Sequence, residues 1–493
     1  MKKFQILAWG LLLTSLALFS TACKNKPAEI AEPPVTFEKP RVPDWHKNSV
    51  IYEVNTRQYT PEGTFKAFEA HIPRLREMGV DILWFMPIHP VSVKNRKGDL
   101  GSPYAVADYY AVNPDFGTME EFKHLVVAIH NAGMHIIIDW VPNHSGWDNP
   151  WITEHKDWYT QDSLGNVVDP IDPATGKSWG WTDVADFNYD NPALRQGMID
   201  AMQFWVTETG IDGFRVDVAH NVPVDFWAEC SDSLYAMKPL FMLAEAEVPA
   251  IRNNGAFVMD YAWSMHHLLN DIAKTQGANR DKTPQLVQGN ATDGGAAPVE
   301  KKTALDIDRL LAEKAKEYTK GYFMEFTSNH DENSWSGTEF QRMGDGHKAF
   351  AVLVSTFDGM PLIYSGQESA MDKQLAFFTK DSIPWGDYQY AGFYKTLFDL
   401  KDRNKGLWNG TEGGPLVKIP TGNDENIYAF IREKDGDKAV VVINLSAKKQ
   451  DLKLTGSNFA GTYTNVFTNE PKELTDGMSL SLNAWDYLVF SNK

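Results

Sequence analysis

Short apolar runs rich in β-branched and aromatic residues recur eight times over residues 50–364, each separated from the next by a stretch that can hold a helix or a long loop. This alternation is the tightest constraint on the fold, because strands joined through helical crossovers pair in parallel. The runs fall at residues 50–54, 81–86, 135–139, 213–217, 241–245, 257–260, 323–328 and 361–364. Between them, stretches such as 64–78, 119–132 and 193–209 are amphipathic and can clothe the outside of a closed barrel. The expected class is α/β, a (β/α)8 TIM barrel over residues 44–404. Two connections exceed what such a barrel needs. Residues 145–191, rich in Trp, Asp and Gly, read as a domain inserted after the third strand, and residues 274–320 mix a Gly/Asn/Asp stretch with one helix. After residue 405 the pattern changes to alternating strands such as 427–432 and 439–444, separated by Asp-Gly and Asn-containing turns. A C-terminal antiparallel β-sandwich over 405–493 is the expectation.

At 493 residues the chain exceeds the size at which one core stops growing, in keeping with a barrel plus smaller modules. With 43% hydrophobic and 23% charged residues it can bury a large core, and it falls outside the disordered and membrane-bundle classes. The 65 acidic against 47 basic residues give a net charge of -18, which disfavours phosphate backbones and anionic surfaces and leaves neutral ligands unaffected. Nucleic acid is therefore not an expected partner. The 16 Trp and 18 Tyr admit two readings, stacking on the apolar faces of sugars or packing in a large core.

The first residues read as a targeting segment. Met1 to Lys3 give a positive start, residues 4–19 are almost uninterruptedly apolar, and Ser20, Thr21 and Ala22 are the small residues before a cleavage point. Cys23 follows at once, where a bacterial lipoprotein carries its acylated residue, although Ser20 departs from the usual aliphatic residue three positions earlier. The expectation is a signal peptide over 1–22, lipidation of Cys23 and a Pro/Lys/Glu-rich tether over 23–43, with an ordinary cleaved signal as the alternative. Such a chain would be an exported lipoprotein of the outer membrane, on its periplasmic face or the cell surface. It would touch the membrane through its lipid alone, where a glycan-uptake complex could be its neighbour. With Cys23 lipidated, Cys230 has no disulfide partner and is expected to be a buried small hydrophobe.

Active sites of such barrels lie at the C-terminal ends of the strands. Four predicted strands end in polar groups: Asp139-Trp-Val-Pro-Asn143-His144, Gly213-Phe-Arg215-Val-Asp217, Leu243-Ala-Glu245 and Ser328-Asn-His330-Asp331. Each alone would be weak, since a strand-terminal Asp often only caps the next helix. Converging on one mouth they gather several carboxylates, an Arg and two His around one cavity, the inventory of an acid/base site.

These four segments resemble, in order and strand position, the four signature regions of the α-amylase family, family 13 of the glycoside hydrolases. Val184-Ala-Asp186-Phe-Asn188 is similar to a fifth family segment, and Gly101-Ser-Pro-Tyr104 through Tyr110 to the family's loop after the second strand. The resemblance spans roughly residues 44–490. The short inserted domain and the Tyr104 loop lean toward the neopullulanase-like and maltogenic members.

The resemblance implies a retaining α-glucan hydrolase acting on α-1,4 bonds of starch-derived glucans or maltooligosaccharides. Transglycosylases, isomerases and α-1,6-acting enzymes of the same family use the same carboxylates, and a non-catalytic glycan-binding lipoprotein is the alternative of another class. Asp217 would be the nucleophile, held ionised by Arg215 two residues away on the same strand face. Glu245 would be the acid/base, its pKa raised by burial or neighbouring negative charge; two carboxyls roughly 5 Å apart perform this chemistry with retention. Asp331 would be the third carboxylate, with His144 and His330 donating to the same sugar and Tyr104 stacking beneath it. Asp139 would orient Arg215. Glu247, on the same side of the strand as Glu245, is either a leaving-group-side sugar contact or an ion pair.

Asn143 and Asp186 are either oxygen ligands of a calcium ion or structural residues without a metal. His220 and Asn221 stand where calcium-dependent relatives commonly carry a Lys-His pair, so acceptor-side contacts, His220 among them, cannot be copied from those enzymes. No organic cofactor is implied.

Overall fold

A computed structural model of the chain describes residues 41–172, 175–278 and 300–493. The signal peptide, Cys23 and nearly all of the tether lie outside the described residues, as does much of the 274–320 connection.

Eight parallel strands close into a barrel in sequence order: β1 (Ile51–Val54), β2 (Ile82–Phe85), β3 (His135–Trp140), β4 (Gly213–Val216), β5 (Phe241–Ala244), β6 (Met259–Tyr261), β7 (Tyr322–Phe326) and β8 (Met360–Tyr364). Each overlaps one expected run. The strands stop just short of Asp217, Glu245 and Ser328, so these residues leave the ladder and the two carboxylates are free for the barrel mouth.

The alternation along each strand sorts the core into two shells. Ile51, Ile82, Trp84, Ile137, Leu243 and Met324 belong to the cluster filling the barrel, while Tyr52, Leu83, Phe85, Ile136 and Ile138 join the cluster that includes the helices. The helix Met119–Asn131 buries Phe122, Leu125, Val126 and Ile129 at helical spacing, and its start is fixed by a reciprocal cap between Thr118 and Glu121. The amphipathic stretch 64–78 forms two helices, Phe65–Glu69 and Ile72–Met78. Pro73, which has no N–H to donate, sits in the first turn of the second and explains the restart. Gly213, the first residue of β4, tolerates no side chain: a Cβ there would lie 1.8 Å from the Phe241 carbonyl oxygen.

The domain inserted after β3 is anchored by an antiparallel ribbon, His144–Gly146 against Val184–Asp186. It is stitched to the loop after β2 through Asp148, which accepts the Val93 N–H at 2.6 Å and the Lys94 N–H at 2.8 Å. The expected helix of the second long connection is Ala304–Glu317.

The C-terminal part is antiparallel but lopsided. Six strands (Leu416–Lys418, Ile427–Lys434, Asp437–Asn444, Tyr487–Ser491, Gly461–Asn465 and Pro471–Leu474) form one sheet, and only Gln450–Lys453 and Ser479–Leu482 form the other. Ile427, Ile431, Val440, Leu452 and Leu482 belong to the core between them. The other face of the large sheet, through Tyr428, Phe430, Val441 and Ile443, joins the core of the barrel helices. Arg432, fully buried, fastens this junction by donating to the carbonyls of Phe357, Trp408 and Gly414. Cys230 is buried and free. Among the described residues no helix is long and apolar enough to cross a membrane.

Candidate active site

The four strand-end segments meet at one cavity of about 480 Å3, lined among others by Tyr104, His144, Asp217, Glu245, His330 and Asp331. Beneath it lies Arg215, wholly buried on β4. One terminal nitrogen, Nη1, lies 2.8 Å from Asp139 Oδ1 and 2.9 Å from Asp217 Oδ1. The other, Nη2, lies 2.9 Å from Glu245 Oε2, an ion pair without the alignment of a hydrogen bond. Nε donates to the Tyr261 hydroxyl at 3.1 Å. A rigid planar cation thus fixes the two candidate catalytic carboxylates relative to each other.

Asp139 is fully buried and does not face the cavity. Its second oxygen accepts from Trp84 Nε1 at 3.2 Å and the Tyr104 hydroxyl at 3.1 Å, so it orients Arg215 and Tyr104 together. Tyr104 also lies 2.8 Å from His330 Nε2, with its ring stacked on the imidazole. His330 Nδ1 in turn lies 2.5 Å from Glu53 Oε1. Burial works to lower the His330 pKa, but Asp331 and Glu53 outweigh it and raise it to about 9. The imidazole is therefore a cation at neutral pH, donating to Glu53 from one nitrogen and toward Tyr104 from the other. His144 is the opposite case: burial lowers it to about 4, so it is neutral. Asn143 Nδ2 lies 3.1 Å from His144 Nδ1. With the amide donating there, the proton of the neutral ring is on Nε2, and a hydrogen bond to the Tyr104 backbone opposes the effect of burial.

The surroundings act on the two carboxylates differently from what their spacing in sequence suggests. Burial, then the neighbouring Glu245 carboxylate, push Asp217 well above the usual carboxylate range, and Arg215 offsets only part of this. Burial also works to raise Glu245, yet Arg215 and the Val218 N–H, donated to Oε2 at 2.8 Å, bring it below its ordinary value. The reason is geometric: Arg215 reaches both carboxylates and cannot favour Asp217 alone. The two carboxylates around this one cation therefore titrate as a pair and share a proton. Asp331 is raised, by burial first and then by Glu245, with His330 opposing.

Other expected site residues fall outside the cavity. His220 is exposed, its Nδ1 3.4 Å from the Glu245 carbonyl oxygen. Glu247 does not line the cavity: one oxygen accepts from the Ser264 N–H at 2.9 Å and its hydroxyl at 2.6 Å, and the other pairs with Lys314 at 3.0 Å. It is the ion pair of the two alternatives, bracing the start of the next helix. Asn143 and Asp186 are near neighbours through the ribbon, where the Phe187 N–H donates to the Asn143 carbonyl. Burial raises Asp186 to about 7. Among the described residues no three His, Cys, Asp or Glu side chains gather as a metal site. A calcium ion here would have one carboxylate, the Asn143 amide oxygen and backbone carbonyls, a sparse set for a cation that takes six to eight oxygens.

Several residues of the site were not singled out from the sequence. Glu53 is a charge inside an apolar strand run, a signal that could have been read. Val218 adopts a left-handed backbone (φ 44°), rare for a β-branched residue, which aims its N–H at Glu245. Lys97, Asp183 and Phe377 come from loops and Trp335 from the short π-helix Glu332–Ser336, and none carried a local signal.

Comparison with known proteins agrees with this geometry. A profile described as the α-amylase catalytic domain matches residues 42–439, and one described as the maltogenic amylase C-terminal domain matches residues 418–489. An α-amylase of Haloarcula japonica is 26% identical over 431 residues, which are 84% of this chain and 57% of that protein; the chain thus spans little more than half of that relative's length. A maltogenic α-amylase of Bacillus acidopullulyticus is 23% identical over 547 residues, covering 99% of this chain and 86% of the relative. The crystal structure of a maltogenic α-amylase from Thermotoga neapolitana, 26% identical, superposes with a TM-score of 0.77 over 90% of this chain and 98% of that one. With the catalytic-domain profile covering most of its length and a maltogenic-amylase domain following, the chain belongs to the α-amylase family of glycoside hydrolases.

Proposed function

We propose that this protein hydrolyses α-1,4 bonds of maltooligosaccharides or starch-derived glucans with retention of configuration. The observation that carries the reading is the buried Arg215 guanidinium, which holds Asp217 and Glu245 through separate nitrogens. Glu245 protonates the glycosidic oxygen while Asp217 attacks the anomeric carbon and displaces the leaving sugar. Water, deprotonated by Glu245, then releases the glycosyl group from Asp217. Positive charge developing at the anomeric carbon favours the Asp217 anion, so a bound sugar shifts the shared proton toward Glu245. Asp331 and His144 would hold hydroxyls of the same ring.

The test is a product profile over time on soluble starch, pullulan, cyclodextrin and maltotriose, with the first anomer followed by proton NMR. Short α-anomeric products are expected, with Glu245→Gln slower by about 10²–10⁴-fold. Panose from pullulan would assign the cut to its α-1,4 bonds, and products longer than the substrate would show a sugar acting as acceptor. A wild type that cleaves nothing yet binds these glycans refutes hydrolysis in favour of a binding protein.

Calcium between barrel and inserted domain is a separate proposal supported by the buried Asp186 carboxyl beside Asn143. Added calcium should then raise the thermal midpoint of EDTA-treated protein, and an unchanged midpoint refutes it. Lipidation of Cys23 rests on the sequence of residues 1–23; detergent-phase partitioning that survives Cys23→Ser refutes it.

A further inference from the structure

Three loops meet in one continuous wall at one end of the cavity. The loop after β8 carries Phe377 and Phe378, and the Leu100 N–H of the loop after β2 donates to the Phe378 carbonyl at 2.9 Å. Arg57 ties the same two loops, donating to the carbonyls of Gly101 at 2.8 Å and Phe377 at 3.3 Å. From the loop after β2, Lys97 reaches the inserted domain and pairs with Asp183 at 2.8 Å. Both partners line the cavity; the Asp183 side chain is 7% exposed and that of Lys97 37%. Asp148, which accepts the Val93 and Lys94 N–H groups, holds the base of this bridge in place.

The barrel order gives the wall a direction. It is built on β8, β2 and β3; β3 pairs with β4, which leads into Asp217, while Glu245 follows β5, one strand further from the wall. Glu245 protonates the departing oxygen, so the leaving sugar lies on its side and the sugar retained on Asp217 lies toward the wall. We infer that the Lys97–Asp183 ion pair is the end-stop of the cleft on the retained side. The enzyme therefore engages glucans from their non-reducing ends and releases a product whose length this pair sets. The inference rests on the hydrolase reading above. An ion pair suits this role because it joins the loop after β2 to the inserted domain with both partners on the cavity wall.

The test compares wild type, Lys97→Ala and Asp183→Asn, checked for folding by thermal melting, on a maltoheptaoside and on the same compound with its non-reducing terminal hydroxyls capped by an ethylidene group. The wild type should cleave the uncapped chain to one short product and scarcely touch the capped one. In Lys97→Ala the share of longer products, and the rate on the capped chain, should each rise about tenfold, the scale of a single pocket discrimination. Asp183→Asn should move both readouts in the same direction. If the active wild type cuts both substrates alike, or Lys97→Ala raises KM with unchanged product lengths, the pair is a sugar contact and the end-stop is overturned. A wild type inactive on both substrates overturns the hydrolase reading and the end-stop with it.

Discussion

Replacing Glu53 by Gln tests the charge assigned to the site without altering any group that lines the cavity. Glu53 lies within β1, one residue before its end, fully buried, with Oε1 2.5 Å from His330 Nδ1. Three influences raise the imidazole against burial, one from Asp331 and two from Glu53, its charge and its hydrogen bond, and the result is a pKa of about 9 against 6.5 ordinarily. That difference corresponds to about 3 kcal/mol favouring the cation in the folded state. The sign follows: this stabilisation is fully present below pH 6.5 and is lost as pH rises through about 9. Gln keeps an acceptor for Nδ1–H but removes the charge, and loss of a neighbouring charge typically lowers such a pKa by about 1–3 units. In the variant His330 should therefore titrate near neutrality. The Nε2–H that faces Tyr104 and Asp331 would then be lost about 1–3 units earlier, and the alkaline fall of kcat/KM on a short maltooligosaccharide should move down with it. Nitrogen-15 NMR of the His330 ring reads the shift directly. If the ring titrates at the same pH in both proteins, or stays neutral at pH 7 in the wild type, the assignment of a buried imidazolium is wrong.

Two further outcomes follow from single contacts. Gly213→Ala places a methyl against the Phe241 carbonyl at the start of the strand that carries Arg215, and should destabilise by more than about 4 kcal/mol. Soluble yield and melting midpoint would expose this, and a normal midpoint would show that β4 and β5 can part locally. Tyr104→Phe keeps the ring against the cavity but removes the hydroxyl between His330 and Asp139, so about 1–3 kcal/mol of stability should go with it. Its kcat/KM should fall chiefly through kcat, because Arg215 loses part of its orientation through Asp139; a change in KM alone would mean that Tyr104 only stacks.

What could be read from the chain follows from where its physics is local. Strand runs such as 135–139 and 213–217 end in charged residues because a barrel of this kind needs apolar pairing below and polar groups at the mouth. Period and strand-end chemistry alone thus located Asp139, Asp217 and Glu245. The pairing of Arg215 with Asp217 follows from a two-residue spacing on one face, which is also a local fact. The reach of Arg215 across to Glu245 is not local, since it depends on β4 and β5 being neighbours with Arg215 level with Leu243. That one cross-strand contact changes the electrostatics expected from spacing alone, because a cation shared between two carboxylates cannot act on Asp217 without acting on Glu245 as well.

The same division explains the loops. Lys97 and Asp183 are 86 positions apart in sequence and ordinary in composition, and only the closed barrel brings the loop after β2 against the insert after β3. Glu247 illustrates the converse. An extended strand places it beside Glu245 on one face, yet strand β5 has already ended at Ala244, and the chain turns Glu247 toward Ser264 and Lys314. Alternation predicts a shared face only while the strand lasts. At a barrel mouth, where catalytic groups must leave the ladder to become available, the periodicity that finds the first carboxylate fails for the next one.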